Sequence, residues 1–284
     1  MSIYKINRVL VAVDLSESSL NALDAAVNIA KKHKASLHVL HIDETNFQTI
    51  EDVGTRYFSN TINAGDVITA LVGAIQNAHN IKPIVSMEEG NVAETIIKTS
   101  CLQHADLIVI GTHGASGYRD GFIGNNTYNV IKYASCPVLC IPQKKKLTNI
   151  RRIVFPVRPV TGALMPYEVI SHFTNPGTIL EVMGLTYRMI MDTANAVLST
   201  VINEINEQLK KDQVIAKPLW NEAGSIPEEI VKYTNTTNPD LLVVTSALDV
   251  TSKPKYIGPH AQKIIHSSKA PVLSIKKITV PSFV

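Results

Sequence analysis

The sequence predicts an α/β protein built from two tandem copies of a doubly wound domain. Three observations support this. Short runs of branched apolar residues alternate with amphipathic helical patterns, the alternation restarts midway along the 284-residue chain, and matching segments recur in the same order in both halves. Such alternation is typical of parallel strands joined by crossover helices. A repeat of this length indicates two copies of one domain rather than a solenoid.

The first copy is predicted to contain five strands and four helices. The apolar run Leu107–Ile110 has no polar interruption, which is typical of a central strand in a parallel sheet. Ser16 is a suitable N-cap for the first helix. Periodicity places the strands at residues 8–13, 36–42, 83–87, 107–110 and 138–141, and the helices at 16–32, 64–79, 92–102 and 124–134.

The second copy follows a linker at residues 143–151, so the domains are expected at 1–143 and 150–284. The offset between equivalent residues falls from 158 − 14 = 144 early in the repeat to 248 − 114 = 134 late in it. The second copy is therefore about ten residues shorter in its middle. The matching segments are Ile153–Val157 with the first strand, Asn238–Val244 with His104–Ile110, and Ala270–Ile275 with Cys136–Ile141.

The composition is that of a folded globular protein, with 18% charged and 45% hydrophobic residues and a formal net charge of +3. So small a charge gives no reason to expect nucleic acid or a membrane as a partner. No signal-peptide core and no apolar run of ~18 residues is present, so a cytoplasmic location is expected. Cys136 and Cys140 are expected to be buried thiols, and no metal site is predicted.

One glycine-rich stretch follows the fourth predicted strand. Gly111-Thr112-His113-Gly114 is followed, after nine residues, by Gly124-Asn125 at the start of a predicted helix. Glycines allow the backbone to approach a ligand closely, and the N-terminus of a helix favours an anion such as phosphate. The alternative is that these glycines only shape a tight turn between strand and helix. The stretch alone does not decide between the two interpretations.

An aspartate at the end of another strand favours the phosphate interpretation. Asp14 follows the first predicted strand, just as Gly111 follows the fourth. In a doubly wound sheet the ligand lies beyond the carboxyl ends of the strands, where the strand order reverses. If the first and fourth strands are neighbours at that point, Asp14 and the glycine stretch face the same crevice.

These features resemble the universal stress protein family in a tandem two-domain form, and the resemblance covers nearly the whole chain. It implies the strand order 3-2-1-4-5 in each copy, with the last strands of the copies paired to form a pseudo-dimer within one chain. It also implies ATP as the ligand, with or without Mg²⁺, and a role in the stress response. The residues that carry it are Val11-Ala12-Val13-Asp14-Leu15-Ser16, His41-Ile42-Asp43, Gly90-Asn91-Val92-Ala93, and the spaced glycines 111, 114 and 124.

The resemblance also implies which residues hold the nucleotide. Asp14 is expected to meet the adenine or ribose side, and the backbone of Ile42 to contact the adenine edge. Asn125 stands where the family has Ser or Thr, but its side-chain amide can still donate a hydrogen bond. The backbone amides expected around the phosphates are those of Gly111, Gly114, Gly124, Asn125 and Asn126, and Ala12, Val13, His113 and Thr127 complete the expected site.

The equivalent site in the second copy is degenerate. Arg158, Thr245 and Leu248 stand at the positions of Asp14, Gly111 and Gly114. Pro259 follows Gly258, and proline has no backbone N–H to offer a phosphate. We therefore expect ATP in the first domain only.

The sequence favours a nucleotide-binding regulatory protein with no turnover or, at most, slow ATP hydrolysis. No Walker lysine is present, and no catalytic residue is predicted; His113 is interpreted as a loop residue. His38 and His41 are three residues apart on one strand, so they point to opposite faces and cannot share a metal. The alternative is a nucleotide-free interaction or scaffold protein of the same fold. A further homodimer is left open.

Overall fold

In a computed structural model, the structure describes residues 4–43, 64–112, 124–158, 160–186, 191–222, 225–245 and 258–276. Ten strands lie in these ranges. They are β1 (Arg8–Ala12), β2 (Ser36–Asp43), β3 (Ile84–Glu89), β4 (Leu107–Gly111), β5 (Val138–Ile141), β6 (Arg152–Val157), β7 (Ile179–Thr186), β8 (Ile215–Glu222), β9 (Leu241–Thr245) and β10 (Val272–Ile275).

The strands form one continuous sheet in the order β3-β2-β1-β4-β5-β10-β9-β6-β7-β8. All neighbours in it are parallel except β5 and β10, which are antiparallel. Counted within its own half, each set of five strands therefore has the order 3-2-1-4-5. The predicted fold class, with the halves joined through their last strands, is confirmed.

Helices cover both faces of the sheet, as expected for a doubly wound fold. Val9 and Val11 of β1 face one core, and Leu10 faces the other, because side chains alternate along a strand. The α-helices are α1 (Glu17–His33), α2 (Ala64–His79), α3 (Val92–Leu102), α4 (Asn125–Tyr133), α5 (Tyr167–Ile170), α6 (Met191–Asn203), α7 (Asn206–Lys211), α8 (Ile226–Thr237) and α9 (Pro259–Ser267).

The two cores run through both halves of the molecule. The first lies under α1, α2, α6 and α7, with Val27 and Leu198 among its buried residues. The second lies under α3, α4, α8 and α9, with Ile96 and Ile264 among its buried residues. None of the helices in the described ranges is long and apolar enough to cross a membrane.

The junction between the halves is fully buried sheet. Leu273 of β10 lies opposite Leu139 of β5, and Val272 lies opposite Cys140. All four side chains are at most 1% exposed. Pairing removes two apolar strand edges that would otherwise expose unpaired backbone groups.

The same aspartate bridge occurs in both halves at the amino ends of the strands. Asp106 Oδ2 accepts hydrogen bonds from the amides of Asn7 and Arg8 at 2.8 and 2.9 Å. Asp240 Oδ2 accepts from the amides of Arg151 and Arg152 at 2.9 and 3.0 Å. Each bridge joins the segment before the fourth strand of its half to the start of the first strand, which supports the repeat found in the sequence.

The halves differ most in their first helix. The 17-residue α1 has no equal in the second half, where residues 160–166 form turns and α5 has only four residues before a 3-10 turn at 171–173. Gly162 lies in this stretch with a positive φ of 76°. The connection from the second to the third strand is also shorter, at residues 187–214 against 44–83.

Most first-half elements lie within one or two residues of their expected positions. β3 extends to Glu89, beyond the expected end at residue 87, because Glu88 and Glu89 pair with Ile42 and Asp43 of β2. The first strand was expected to end at Val13, but β1 ends one residue earlier, at Ala12. The bounds of α2, α3 and β5 are as expected.

The register at the junction predicts a specific disulfide. Val272→Cys places a second thiol directly opposite Cys140, within the Cα separation that a disulfide needs. Burial raises the pKa of the Cys140 thiol to about 12, so the test requires refolding in an oxidising glutathione buffer, where both thiols are accessible. Cys101 and Cys136 are first replaced by Ser. Mass spectrometry after proteolysis should then show a 140–272 cross-link.

Leu273→Cys is the matched control, because its side chain lies opposite Leu139 and faces the other side of the sheet. It should leave Cys140 reduced. A cross-link to position 273 instead of 272 would show that the register is wrong.

Candidate functional site

A doubly wound sheet has its ligand crevice at the carboxyl edge, where the strand order reverses, and in the amino-terminal half this point lies between β1 and β4. Val9 and Val11 of β1 pair with Leu107 and Val109 of β4, so the strand order reverses between these two strands. Asp14 follows β1, and β4 ends at Gly111. The expected condition is therefore met: β1 and β4 are neighbours, and Asp14 and Gly111 lie at the same edge of the sheet.

Asp14 is exposed, and the first turn of α1 holds its carboxylate. Asp14 Oδ1 accepts hydrogen bonds from the amide and the hydroxyl of Ser16 at 3.0 and 2.6 Å. Ser16 is the N-cap of α1, and its side chain in turn accepts from the amide of Ser19. The strand end, the aspartate and the helix start thus form one fixed unit.

His41 ties the end of β2 to the end of β1. Its Nδ1 lies 2.7 Å from the carbonyl oxygen of Val13, and because a carbonyl only accepts, this nitrogen carries the hydrogen. Its Nε2 lies 3.2 Å from Asp43 Oδ1. The ring is 6% exposed. His41 therefore fixes Val13, the residue before Asp14, and places it next to the half-buried Ile42.

The sequence analysis missed this role of His41, since it considered the residue only as part of the family motif and as a metal ligand. The available signal was a histidine near the carboxyl end of a buried strand, two residues before Asp43. His38 behaves differently: its Nε2 lies 2.8 Å from Ser86 Oγ, and burial lowers its pKa. Across the described ranges no group of three His, Cys, Asp or Glu residues could hold a metal ion.

The start of α4 is anchored to the end of β4. Thr127 is buried, and its hydroxyl donates to the carbonyl of Gly111 at 3.0 Å. The amide of Gly124 is directed at the carbonyl of Thr112 at 3.4 Å, and that of Thr112 donates to Ile141 at 3.0 Å. The hydroxyl hydrogen of Thr127 is therefore already donated within the protein, and the amide of Gly124 already has a long contact there.

The N-cap of α4 is Gly124, which has no side chain to accept hydrogen bonds from the first turn of the helix. Helices normally satisfy these amides with a capping side chain, water or a ligand. Asn125, the first helical residue, is exposed, and Asn126 is half-buried. Chemically, this end of α4 suits an anion. His113 and Gly114 lie outside the described residues.

Gly111 has a packing reason to be glycine. A Cβ built there would lie 2.6 Å from Ser18 Oγ and, more seriously, 2.9 Å from the backbone carbon of Ser18 and 3.0 Å from the amide nitrogen of Ser19. Gly124 is different, since the nearest atom to a Cβ would be the carbonyl oxygen of Thr112 at 3.6 Å, an ordinary contact. Packing against α1 therefore accounts for a glycine at position 111, whereas packing does not account for one at position 124.

The carboxyl-terminal half has a different edge at the equivalent place. Thr245 ends β9 and is 7% exposed, and Arg158 follows β6. Because this half lacks a counterpart of the first turn of α1, a residue with a Cβ is tolerated at position 245. Pro259 is the first residue of α9, so this helix start lacks one amide. Leu248 lies outside the described residues.

The cysteines do not contribute to the crevice. Cys140 is fully buried in β5, and Cys136 lies between α4 and β5. Burial raises the pKa of both thiols to about 12, so both stay protonated at neutral pH. Cys101 is exposed at the end of α3.

A family model and individual related proteins both identify the same family. A model described as the universal stress protein family matches residues 5–142. The universal stress protein YxiE of Bacillus subtilis is 31% identical over 150 residues, which are 48% of this chain and 98% of that protein. The universal stress protein MJ0531 of Methanocaldococcus jannaschii is 30% identical over 148 residues, 51% of this chain and 86% of that protein.

Two solved structures match nearly the whole chain. A universal stress protein from Archaeoglobus fulgidus has a TM-score of 0.67 at 19% identity, covering 96% of this chain and 97% of its own. Protein PA1789 from Pseudomonas aeruginosa has a TM-score of 0.66 at 14% identity, covering 95% and 92%. At these identities the likeness concerns the fold, including its two-half arrangement.

The packing of Gly111 predicts opposite effects for two glycine substitutions. Gly111→Ala should lower the free energy of unfolding by roughly 1–3 kcal/mol, because its Cβ meets the backbone of α1. Gly73→Ala is the matched control in α2, where no atom lies within 4 Å of the new Cβ, and it should raise stability by roughly 0.5–1 kcal/mol. Urea denaturation measures both. Equal stability of Gly111→Ala and the wild type would refute the close packing.

Proposed function

This chain belongs to the universal stress protein family, and we propose that it is an ATP-binding regulatory protein of the stress response whose amino-terminal half alone holds the nucleotide. The observation that carries the proposal is the edge where β1 and β4 lie side by side. Asp14 follows β1 and α4 begins at the same edge beyond β4, so the carboxylate and the glycine-capped helix start are proposed to face one crevice. Ribose hydroxyls need hydrogen-bond acceptors and phosphates need donors. An aspartate beside a helix N-terminus offers an acceptor for the first and amide donors for the second.

The expected contacts divide along the crevice. Asp14 can accept from ribose or adenine groups through its carboxylate, which the first turn of α1 orients. The backbone of Ile42, beside the end of β1, is proposed to contact the adenine edge. Amides at the start of α4, including that of Asn125, are proposed to bind the phosphates, with His113 and Gly114 from the preceding loop. Mg²⁺ would neutralise part of the phosphate charge.

The proposed restriction to one half follows from chemistry at the equivalent edge. Arg158 would replace an acceptor by a donor, and Pro259 removes an amide from the helix start. Thr245 adds a side chain where Gly111 has none. We propose that this half, provisionally residues 150–284, supports the first, residues 1–143, as the other member of a pseudo-dimer joined at β5 and β10.

We assign no catalytic residue. Phosphoryl transfer requires a metal clamp and a positioned nucleophile or base, and the sequence contains no Walker lysine. ATP would therefore act as a bound regulator, hydrolysed slowly if at all.

The second candidate is a nucleotide-free interaction or scaffold protein of the same fold. The packing of Gly111 favours it, because one of the three spaced glycines would be required by the fold even in the absence of any ligand. The two candidates differ in a simple property, which is ATP affinity.

An ATP titration of three proteins separates them. The wild type should bind ATP saturably, as measured by calorimetry. Gly114→Leu, which imitates the second half, should bind roughly tenfold or more weakly, because each charge-assisted hydrogen bond lost contributes on the order of 1.5–3 kcal/mol. Leu248→Ala, at the equivalent position of the second half, is the control and should match the wild type.

Thermal unfolding of all three proteins verifies that they are folded. Equal ATP affinity of Gly114→Leu and wild type, or no binding by either, would favour the nucleotide-free candidate.

A further inference from the structure

A lysine from the carboxyl-terminal half reaches the end of α4, the helix whose start forms part of the crevice. Lys276 follows β10 directly, and its Nζ donates to the carbonyl oxygens of Lys132 and Ala134 at 2.6 and 2.7 Å. These carbonyls belong to the last turn of α4 and to its C-cap. The contact joins the two halves across 142 to 144 positions of sequence.

The antiparallel junction explains why Lys276 lies there. Ser274 of β10 pairs with Val138 at the start of β5, so the chain leaving β10 runs towards the segment that connects α4 to β5. The ammonium is half-buried against the helix end. In a parallel arrangement the same residue would leave at the opposite edge of the sheet.

The chemistry of a helix end makes this contact stabilising. The last carbonyls of an α-helix have no partner within the helix and carry a partial negative charge. A cation from outside satisfies two of them and interacts favourably with the helix dipole. α4 has only nine residues, so few backbone hydrogen bonds stabilise it within the helix. Contacts at its two ends therefore make a larger contribution to its stability.

The second half makes this lysine contact to the first half, but the first half has no equivalent lysine to make it in return. Ala270–Ile275 corresponds to Cys136–Ile141, so the equivalent of Lys276 is Pro142, which has no amino group. The first half therefore cannot cap α9 in the same manner. Only the helix of the proposed nucleotide site receives a lysine from the other half by this route.

We infer that Lys276 is a positioning residue through which the degenerate half holds α4 in place for nucleotide binding. This inference rests on the proposed function for its link to ATP, but its structural part does not. α4 is then fixed at its start by Thr127 and Gly124 and at its end by Lys276. Loss of the lysine would let the last turn open and would lower the fraction of molecules with a competent site.

Lys145 provides a matched control. It also follows the last strand of a half and reaches across to the other, where its Nζ donates to Asn238 Oδ1 at 2.8 Å and to the carbonyls of Asn238 and Pro239. Burial lowers its pKa. Lys145 thus binds the C-cap of α8 in the degenerate half rather than the end of α4. Its acceptors are of the same neutral kind.

The experiment compares Lys276→Met, Lys276→Arg and Lys145→Met in the full chain. Amide hydrogen exchange, measured without nucleotide, should accelerate about tenfold in α4 for Lys276→Met. ATP affinity should fall about threefold. Lys276→Arg keeps the cation and should restore both values towards those of the wild type. Lys145→Met should lower global stability while leaving α4 exchange and ATP affinity unchanged.

Each outcome decides a separate claim. Unchanged exchange in α4 for Lys276→Met overturns the inference, and so does an equal effect of Lys145→Met on α4. Faster exchange in α4 with unchanged ATP affinity overturns the link to the nucleotide site. Failure of the wild type to bind ATP refutes the proposed function, while the exchange measurement still tests the hold of Lys276 on α4. If Lys276→Met does not fold, Lys276→Gln, which keeps a single neutral donor group, replaces it with the same expectations.

Discussion

The close contact between Gly111 and the first turn of α1 determines the geometry of the amino-terminal crevice. Because Gly111 has no Cβ, the end of β4 can lie directly against the backbone of Ser18 and Ser19. The same turn holds the Asp14 carboxylate through Ser16. One packing constraint thus aligns two strand ends and a helix start, and the second half, which lacks a counterpart of α1, has lost the glycine and the aspartate together.

The antiparallel pairing of β5 and β10 joins the two halves into one structure. The buried pairs Leu139–Leu273 and Cys140–Val272 make one sheet of both halves, and two cores run beneath it. The second half therefore shares its buried apolar cores with the first half. The same pairing places Lys276 of the second half at the end of α4, the helix whose start belongs to the proposed nucleotide site.

Periodicity and repeat predicted the fold because each signal is local. Residues 92–102 carry an apolar helical pattern, and the structure forms α3 over the same residues, with Asn91 as its N-cap. Tertiary contacts were not predictable in this way. The requirement for glycine at position 111 depends on how near α1 approaches, the role of His41 depends on the carbonyl of Val13, and the hydroxyl of Thr127 depends on the end of β4. The absence of an α1 counterpart in the second half was not predicted, although Gly162 and Pro166 are residues that interrupt helices and mark turns.

The most direct test of the central claim is the number of nucleotides bound per chain, measured by equilibrium dialysis with labelled ATP at saturating concentration. The account predicts a plateau at one ATP per chain, because the amino-terminal edge combines an aspartate with a helix whose first residue, Asn125, has a backbone amide, whereas the equivalent helix of the second half begins with Pro259. A plateau at two would contradict the proposed loss of the second site.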